Sequence, residues 1–325
     1  MAIPTETVYG LAANALDINA VIKVFETKQR PRFNPLIVHI KSIDEINKYC
    51  KNVPEIVFKI AEKYSPGPIT YLLEKKDIID DIITAGSSLV AVRIPNHKLT
   101  LELLNILDFP LVAPSANPFG YISPTSAKHV LDNLNGKIEY ILDGGNSEVG
   151  IESTIIGFGK IDKIENKDNN DKIIIYRKGS FDIEKLREFA NEIMFKVETN
   201  EEINEESHNN KELDSPGRLK AHYSPNTKCV LGDIPENYNQ AIVVNPKIKI
   251  AILSFDKEYS LNNNIISNKV LSSNSNLTEA AKNLFSYLRE LENENVDLIL
   301  LEKVPDVSIG QAINDRLEKA AAKYI

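Results

Sequence analysis

The fold class is decided by residues 110–125, which read PLVAPSANPFGYISPT. The first four residues are apolar and predict the end of a strand, and the last three predict the start of a helix. Ser123 is a favourable N-cap, Pro124 suits the first helical position, and Gly136 is placed to end the helix. A strand that runs through a polar loop into a helix indicates an α/β arrangement.

The same segment carries polar groups suited to an anion. Ser115 and Asn117 place a hydroxyl and an amide at the carboxyl end of the strand, where α/β proteins bind their ligands. Free N–H groups and the positive dipole end at the helix N-terminus also favour an anion. A well-capped helix without a ligand is the alternative interpretation of Ser123, and the segment alone leaves both open.

Around this segment, from residue 1 to about residue 190, short β-branched runs alternate with helical patterns. Strands are predicted at residues 36–40, 89–94, 110–113, 152–156 and 173–176. Helices are predicted at residues 19–28, 43–49, 54–64, 99–107 and 126–134. This order predicts an α/β or α+β domain.

From residue 229 onward the alternation continues on a smaller scale. Strand-like runs occupy residues 229–231, 241–244, 249–253 and 296–301, and helices are predicted at residues 278–291 and 313–323. That order predicts a small three-layer, Rossmann-like α/β domain.

An acidic stretch separates these two regions. Residues 198–214 contain seven acidic residues and one basic residue, and therefore carry −6 of the chain's formal charge of −8. The stretch has too few apolar residues to fold alone and is predicted to be a disordered linker. Residues 215–225, SPGRLKAHYSP, look structured, and we expect them to fold back onto the first domain. The predicted organisation is a domain at 1–190, a linker at 191–228 and a domain at 229–325.

The composition argues against several classes of protein. A formal charge of −8 is unfavourable for permanent residence on nucleic acid or on an anionic membrane. Cys50 and Cys229 lack CxxC spacing, so neither a disulfide framework nor a zinc cluster is expected. The sequence has no membrane-length apolar run, no secretory signal, and no P-loop, GxGxxG, HExxH or GxSxG motif. These features predict a soluble cytoplasmic protein.

Residues 28–36, KQRPRFNPL, place three cations within five residues, directly before an apolar strand. Pro31 and Pro35 restrict the backbone around the arginines. Rigidly held guanidinium and ammonium groups are what a triphosphate requires. Cations also suit the C-terminal end of a helix, so a solvated helix end is the alternative interpretation.

Three further residues lie at or near predicted strands. His39 lies within residues 36–40, where a histidine that is part of the core is more common than a ligand. Arg93 lies within residues 89–94 and is costly to bury alone, so it should meet an anion or a carboxylate. Arg177 follows a third strand and is either a binding residue or a solvated strand end.

Seven segments, taken in order, resemble the YrdC-type domain of the threonylcarbamoyl-AMP synthases. They are PTETVYGL, KQRPRFNPLIVHI, PGPIT, VAVRIP, PSANPFGYISPT, GIESTI and YRKG. The C-terminal region, with SPGRLKAHYSP before it, resembles the two-domain form of that family. The resemblance implies a YrdC-like twisted open sheet with a concave, positively charged cavity. It also implies an enzyme that forms threonylcarbamoyl-AMP and pyrophosphate from L-threonine, bicarbonate and ATP, for threonylcarbamoyladenosine modification of tRNA.

Matched position by position, the resemblance assigns roles to individual side chains. Threonine binding is assigned to Thr7, His39, Arg93, Ser115 and Ser153. ATP binding is assigned to Arg30, Asn34, Asn117, Ser123, Thr125, Arg177, His222 and Tyr223. Lys28 and Arg30 are implied to be catalytic through electrostatic stabilisation and positioning. His222 and Tyr223 are implied to close over the cavity as a lid.

The resemblance further implies that Mg²⁺ enters with the ATP phosphates, without dedicated protein ligands. It implies that the product passes to a tRNA threonylcarbamoyl transferase, with no stable nucleic-acid partner and no membrane. An RNA-binding module that uses the same basic concave surface is the alternative function. Two departures from the family pattern are evident. Three residues precede Pro4 where family members carry a helix and a strand, so we expect either a truncated start or a start position assigned too late. Residues 218–221 differ from the family's linker motif.

Overall fold

The computed structural model of the protein describes residues 1–159, 172–199, 222–260 and 264–324. Most of the predicted acidic linker and residues 215–221 of the expected lid segment lie outside the described residues. Within the four described ranges, no helix combines the length and the apolar character needed to cross a membrane. The described chain forms an N-terminal unit that extends to Thr199 and a C-terminal unit that begins at Lys228.

The N-terminal unit is built on a mixed sheet of eight strands. These are β3 (Ala13–Asn14), β4 (Ile37–His39), β5 (Ile69–Glu74), β6 (Leu89–Arg93), β7 (Leu111–Val112), β8 (Thr154–Gly159), β9 (Lys172–Arg177) and β10 (Lys196–Thr199). A separate pair joins β1 (Ala2–Ile3) to β2 (Gly10–Leu11). The order across the sheet is β10-β9-β8-β5-β6-β4-β7-β3. The pairs β10/β9, β8/β5 and β6/β4 are parallel and the other neighbours are antiparallel.

Most of the helices pack on one face of this sheet. They are α1 (Ile18–Lys28), α2 (Ile46–Tyr49), α3 (Glu55–Tyr64), α4 (Asp81–Thr84), α5 (Lys98–Ile106), α6 (Ala127–Leu134) and α7 (Ile183–Glu192). All except α5 bury apolar side chains in one large core together with strand residues such as Val38, Val92 and Ile156. Burial of that apolar area is the main force that holds the helices on the sheet.

The opposite face of the central strands carries polar residues. Side chains alternate along a strand, so the neighbours of Val38 and Val92 point away from the helical core. His39 is paired with Arg93 between β4 and β6, and Arg93 is paired with Thr70 between β6 and β5. A row of three polar side chains therefore crosses three adjacent strands on one face of the sheet.

The C-terminal unit is a parallel sheet between two helical layers. Its strands are β11 (Lys228–Leu231), β12 (Ile250–Ser254), β13 (Ile265–Val270) and β14 (Leu298–Leu301), in the order β11-β14-β12-β13. Its helices are α8 (Ile234–Val244), α9 (Leu277–Asn293) and α10 (Gly310–Ala321). One face of the sheet packs against α9 and α10, and the other packs against α8. The predicted three-layer α/β class is confirmed.

Three elements differ from the predictions. Residues 241–244 are not a strand but the last turn of α8, because Asp233 caps a helix whose C-terminal end is this apolar run. A short apolar run is compatible with either element until its partners are known. Conversely, β5, a central strand, was not predicted at all. The strand β10 begins within the residues predicted as linker, because it pairs with β9 at the sheet edge.

The predicted N-cap at Ser123 is also corrected. The helix α6 starts at Ala127, and its N-cap is Ser126, whose hydroxyl accepts a hydrogen bond from the His129 N–H at 3.2 Å. The Ser123 hydroxyl instead donates to Glu152 at 2.6 Å. The residues between Ser123 and Ser126 are therefore loop, and the anion site expected from a helix N-terminus at Ser123 does not form there.

The two units share a buried interface. Val8 and Ile122 of the N-terminal unit pack in one cluster with Phe285 of α9. Gly150 lies directly under α9 with φ of +87°, and a Cβ atom at this position would lie 2.5 Å from the carbonyl oxygen of Ala281. Because backbone meets backbone here, glycine is required for α9 to dock this closely.

Candidate functional site

A cavity lies on the polar face of the N-terminal sheet, where it meets the C-terminal unit. Its volume is about 60 Å³. Nine of the predicted site residues line it: Thr7, Arg30, His39, Arg93, Ser115, Ser153, Arg177, His222 and Tyr223. The structure thus brings together residues separated by more than two hundred positions in the chain.

Lys28 joins the two segments that the sequence singled out first. It ends α1, and its side-chain nitrogen donates hydrogen bonds to the carbonyl oxygens of Ser115 and Asn117. A main-chain hydrogen bond also joins the two segments, because the Phe119 N–H donates to the Lys28 carbonyl oxygen at 2.8 Å. Burial, with a smaller contribution from Arg30, lowers the pKa of Lys28 well below its usual value.

Arg30 is held in one orientation by its own loop. Its guanidinium donates to the carbonyl oxygen and the side-chain oxygen of Asn34, at 3.1 Å and 2.6 Å, and to the carbonyl oxygen of Pro35 at 2.7 Å. Asn34 therefore acts on the cavity through Arg30. Burial lowers the pKa of Arg30, and the nearby positive charge of Arg177 acts in the same direction.

Arg177 faces Arg30 across the cavity from the end of β9. Its guanidinium donates twice to the carbonyl oxygen of Ser153, at 3.0 Å and 2.9 Å, and once to the Ser153 hydroxyl at 3.0 Å. That hydroxyl also lies 2.8 Å from the hydroxyl of Thr70. Burial lowers the pKa of Arg177, although Tyr223 and Glu152 act in the opposite direction.

Three buried cations, Lys28, Arg30 and Arg177, have only neutral hydrogen-bond partners among the described residues. They are 1%, 8% and 8% exposed, respectively. Within the described part of the chain, none of the three pairs with a carboxylate, and each donates to carbonyl, amide or hydroxyl oxygens. Burial of a cation without an opposite charge is costly. The cavity wall is therefore pre-arranged to receive a multiply charged anion.

Arg93, in contrast, already has a carboxylate partner. It forms a buried ion pair with Glu6 at 2.8 Å, and it also donates to the Thr7 hydroxyl at 2.9 Å and to the Gly67 carbonyl at 3.3 Å. The expectation that Arg93 meets a carboxylate is thus satisfied by a protein residue. Glu6 was not singled out from the sequence, although its position beside Thr7 in the PTET segment was visible.

His39 lies beside Arg93 on the cavity floor. Burial and the positive charge of Arg93 lower the pKa of His39 to about 3, so its imidazole is neutral at neutral pH. Its Nδ1 atom has no hydrogen-bond partner among the described residues. A neutral imidazole with a free ring nitrogen is suited to a polar ligand group.

Ser123, Asn117 and Thr125 belong to the loop that surrounds the cavity rather than to its lining. The Ser123 hydroxyl is bound to Glu152, which does line the cavity. The Asn117 amide donates to the carbonyl oxygen of Tyr121 at 2.7 Å and so shapes the loop. The Thr125 hydroxyl lies 3.2 Å from the His129 ring. No direct contact with the cavity is visible for these three side chains in the described residues.

His222 and Tyr223 line the cavity on the side of the C-terminal unit. Tyr223 has φ of +62° and stacks on Phe285 of α9, with ring centroids 5.6 Å apart. His222 lies edge-on to Phe119 at 5.8 Å. The two residues therefore sit between the units, and each is held by an aromatic ring of a different unit.

Comparisons with known proteins agree with this architecture. The Sua5, YciO and YrdC family model, described as "Telomere recombination", matches residues 1–179. A second model, described as "Threonylcarbamoyl-AMP synthase, C-terminal domain", matches residues 182–322. The two models together account for nearly the whole chain.

Relatives of similar length are found in archaea and bacteria. Threonylcarbamoyl-AMP synthase from Pyrococcus abyssi is 35% identical over 333 residues, which span 100% of this chain and 91% of the relative. The Bacillus subtilis protein of the same name is 32% identical over 99% of this chain and 89% of the relative. The crystal structure of P. abyssi Sua5 complexed with L-threonine superposes with a TM-score of 0.83 at 33% identity, covering 98% of this chain and 89% of that one.

Proposed function

The chain belongs to the threonylcarbamoyl-AMP synthase family, and from that premise we propose that it is a nucleotidyltransferase that adenylates a carbamate of L-threonine. The substrates are L-threonine, bicarbonate and ATP, and the products are threonylcarbamoyl-AMP and pyrophosphate. The complex of the P. abyssi protein with L-threonine supports threonine as the amino acid.

One observation carries the proposal, namely the three buried cations without carboxylate partners. Arg30 and Arg177 provide positive charges in the cavity lining, Lys28 lies behind it on the Ser115 carbonyl, and a triphosphate provides the matching negative charge. Arginine forks and a lysine ammonium group are the usual donors to phosphate oxygens. The nucleotide therefore lies between Arg30 and Arg177, and threonine lies over the floor formed by His39 and Arg93.

The reaction suits groups that position and stabilise rather than react. The threonine amine adds to carbon dioxide with loss of a proton, or condenses with bicarbonate with loss of water, to give a carbamate. The carbamate oxygen then attacks the α-phosphorus while pyrophosphate leaves. Negative charge develops on phosphate oxygens during this step, and fixed cations stabilise it. Lys28 and Arg30 have this role, and the bonds of Lys28 to the loop at Ser115 hold that loop against both substrates.

Threonine is bound in this proposal by the hydroxyls of Thr7, Ser115 and Ser153 and by the free ring nitrogen of His39. The Arg93 guanidinium, which is paired with Glu6 and lines the cavity, binds the threonine carboxylate in this proposal. His222 and Tyr223 exclude water from the product, which is a mixed anhydride and therefore hydrolyses readily.

Magnesium ions accompany ATP in the proposed reaction. The described residues contain no cluster of three or more histidine, cysteine or acidic side chains that could hold a metal. Glu152, which lines the cavity, is paired with Arg316, and Glu6, beside the lining residue Thr7, is paired with Arg93. No catalytic step is therefore assigned to a protein-bound metal.

The product is an activated intermediate, and we propose that a tRNA threonylcarbamoyl transferase in the cytoplasm consumes it. The alternative function, RNA binding on the same concave surface, is less compatible with the burial of the cations. At 1–8% exposure, Lys28, Arg30 and Arg177 are out of reach of a polynucleotide backbone.

The test is pyrophosphate release by the purified full-length chain, with each substrate omitted in turn. Release is expected only when L-threonine, bicarbonate and ATP are all present, and threonylcarbamoyl-AMP should be detected by mass spectrometry. Equal release with L-alanine, or without bicarbonate, would remove this assignment. Strongly salt-dependent RNA binding without threonine-dependent turnover would favour the RNA-binding alternative.

A further inference from the structure

An arginine of the C-terminal unit reaches the wall of the cavity in the N-terminal unit. Arg316 lies on α10 and its side chain is 0% exposed. Its Nε and Nη2 atoms both lie 3.2 Å from one carboxylate oxygen of Glu152. Its Nη1 atom donates to the carbonyl oxygen of Lys178, the residue after Arg177. The guanidinium also lies over the ring of Tyr223, 5.4 Å from its centroid.

Glu152 links this arginine to the nucleotide side of the cavity. Its second carboxylate oxygen accepts the hydrogen bond from Ser123, and its side chain lines the cavity together with Ser153 and Arg177. Burial lowers the pKa of Arg177, and the negative charge of Glu152 partly opposes that effect. The negative charge of Glu152 is thus directed towards Arg316 and away from the cation expected to bind phosphate.

We propose that Arg316 is a positioning residue through which the C-terminal unit completes the nucleotide site. It holds the Glu152 carboxylate away from Arg177 and supports the ring of Tyr223 from below. Without Arg316, the carboxylate is free to turn towards Arg177, which lines the same cavity, and to cancel the charge that the phosphates need. This inference rests on the proposed function, because it assumes that Arg177 binds ATP.

The test compares two arginines at the same interface. Arg289 of α9 donates to the Ile122 carbonyl and to the Asn133 side chain, and it lies over the ring of Tyr121, away from the cavity. The variants are Arg316→Met and Arg289→Met, and both are checked for folding by circular dichroism. ATP affinity is measured by titration calorimetry, and Michaelis constants are measured by pyrophosphate release.

Arg316→Met should weaken ATP binding by about tenfold or more, because it misplaces a charge in a buried site. The KM for threonine should change by less than about threefold. Arg289→Met is expected to change both by less than about threefold, because it weakens docking without freeing a carboxylate. The double variant Arg316→Met/Glu152→Gln is expected to recover most of the ATP affinity, since the freed charge is gone.

Equal effects of the two single variants, or further loss in the double variant, would overturn the proposal. If Arg316→Met does not fold, Arg316→Lys replaces it, because it keeps the charge but loses the fork that holds Glu152. It should weaken ATP binding, and Glu152→Gln should again restore it.

A wild-type chain that binds ATP but releases no pyrophosphate with threonine contradicts the proposed function alone. One that binds no ATP contradicts both.

Discussion

The side-chain nitrogen of Lys28 lies 2.5 Å from the main-chain oxygen of Asn117. This bond ties the end of α1 to the loop after β7, although the two residues are 89 positions apart in the chain. The two segments therefore form one wall of the cavity, with Arg30 directly beside it. Substitutions in either segment are expected to change the same site.

Arg30→Ala should abolish threonine-dependent pyrophosphate release, with a loss of about 100-fold or more in kcat, because a fixed cation at the reacting phosphates is removed. The measurement is steady-state release at saturating substrates. Arg32→Ala is the matched control, since Arg32 is exposed two residues away and does not line the cavity. Equal losses in both variants would contradict a specific role for Arg30.

Glu6→Ala should destabilise the protein by about 3–5 kcal/mol, because it leaves the buried Arg93 without its opposite charge. Chemical denaturation of the wild type and the variant measures the difference in the free energy of unfolding. The double variant Glu6→Ala/Arg93→Met should lose less stability than the sum of the two single variants. If the stability losses of the two single variants add up to that of the double variant, the ion pair contributes nothing to stability.

The neutral state of His39 should make stability depend on pH. Its pKa is lowered to about 3 in the folded protein by burial and by Arg93, whereas the unfolded chain binds a proton near pH 6.5. The His39 contribution is therefore fully present above pH 6.5 and is lost as the pH falls from 6.5 towards 3, at about 1.4 kcal/mol per pH unit.

Denaturation of the wild type and of His39→Gln at pH 7.5, 6.0 and 5.0 checks this contribution. The free energy of unfolding of the wild type should fall more steeply with decreasing pH than that of the variant. Parallel slopes would mean that His39 takes up its proton in the folded state as well, contrary to the burial seen here.

Gly179→Ala should damage the cavity without removing any functional side chain. A Cβ atom at Gly179 would lie 2.2 Å from the carbonyl carbon of Ser153. The main chain at Ser153, to which Arg177 donates hydrogen bonds, must therefore shift. Pyrophosphate release should fall by about tenfold or more, as expected for a displacement of about 1 Å at a catalytic site. Gly159→Ala is the control in the same sheet, because its Cβ meets only the end of the Ile174 side chain, and it should retain most activity.

Much of the architecture follows from local patterns. Most helices and strands form within a few residues of their predicted bounds, because amphipathic periodicity and turn residues act over short distances. The two wrong assignments below occur where the local sequence pattern is compatible with more than one structure. Residues 241–244 are apolar and β-branched but continue α8, and Ser123 is a good N-cap residue whose hydroxyl is taken by Glu152.

The sequence by itself determined the class of fold, the family, and the kinds of side chain available to the site, since these depend on composition, periodicity and ordered motifs. Only the tertiary structure decided how the charges are paired. It joined Arg93 to Glu6 and Arg316 to Glu152, and it left Lys28, Arg30 and Arg177 without a carboxylate in the described chain. The physical reason is that the strength of an electrostatic interaction depends on distance and burial, and these are set by packing between residues far apart in the chain.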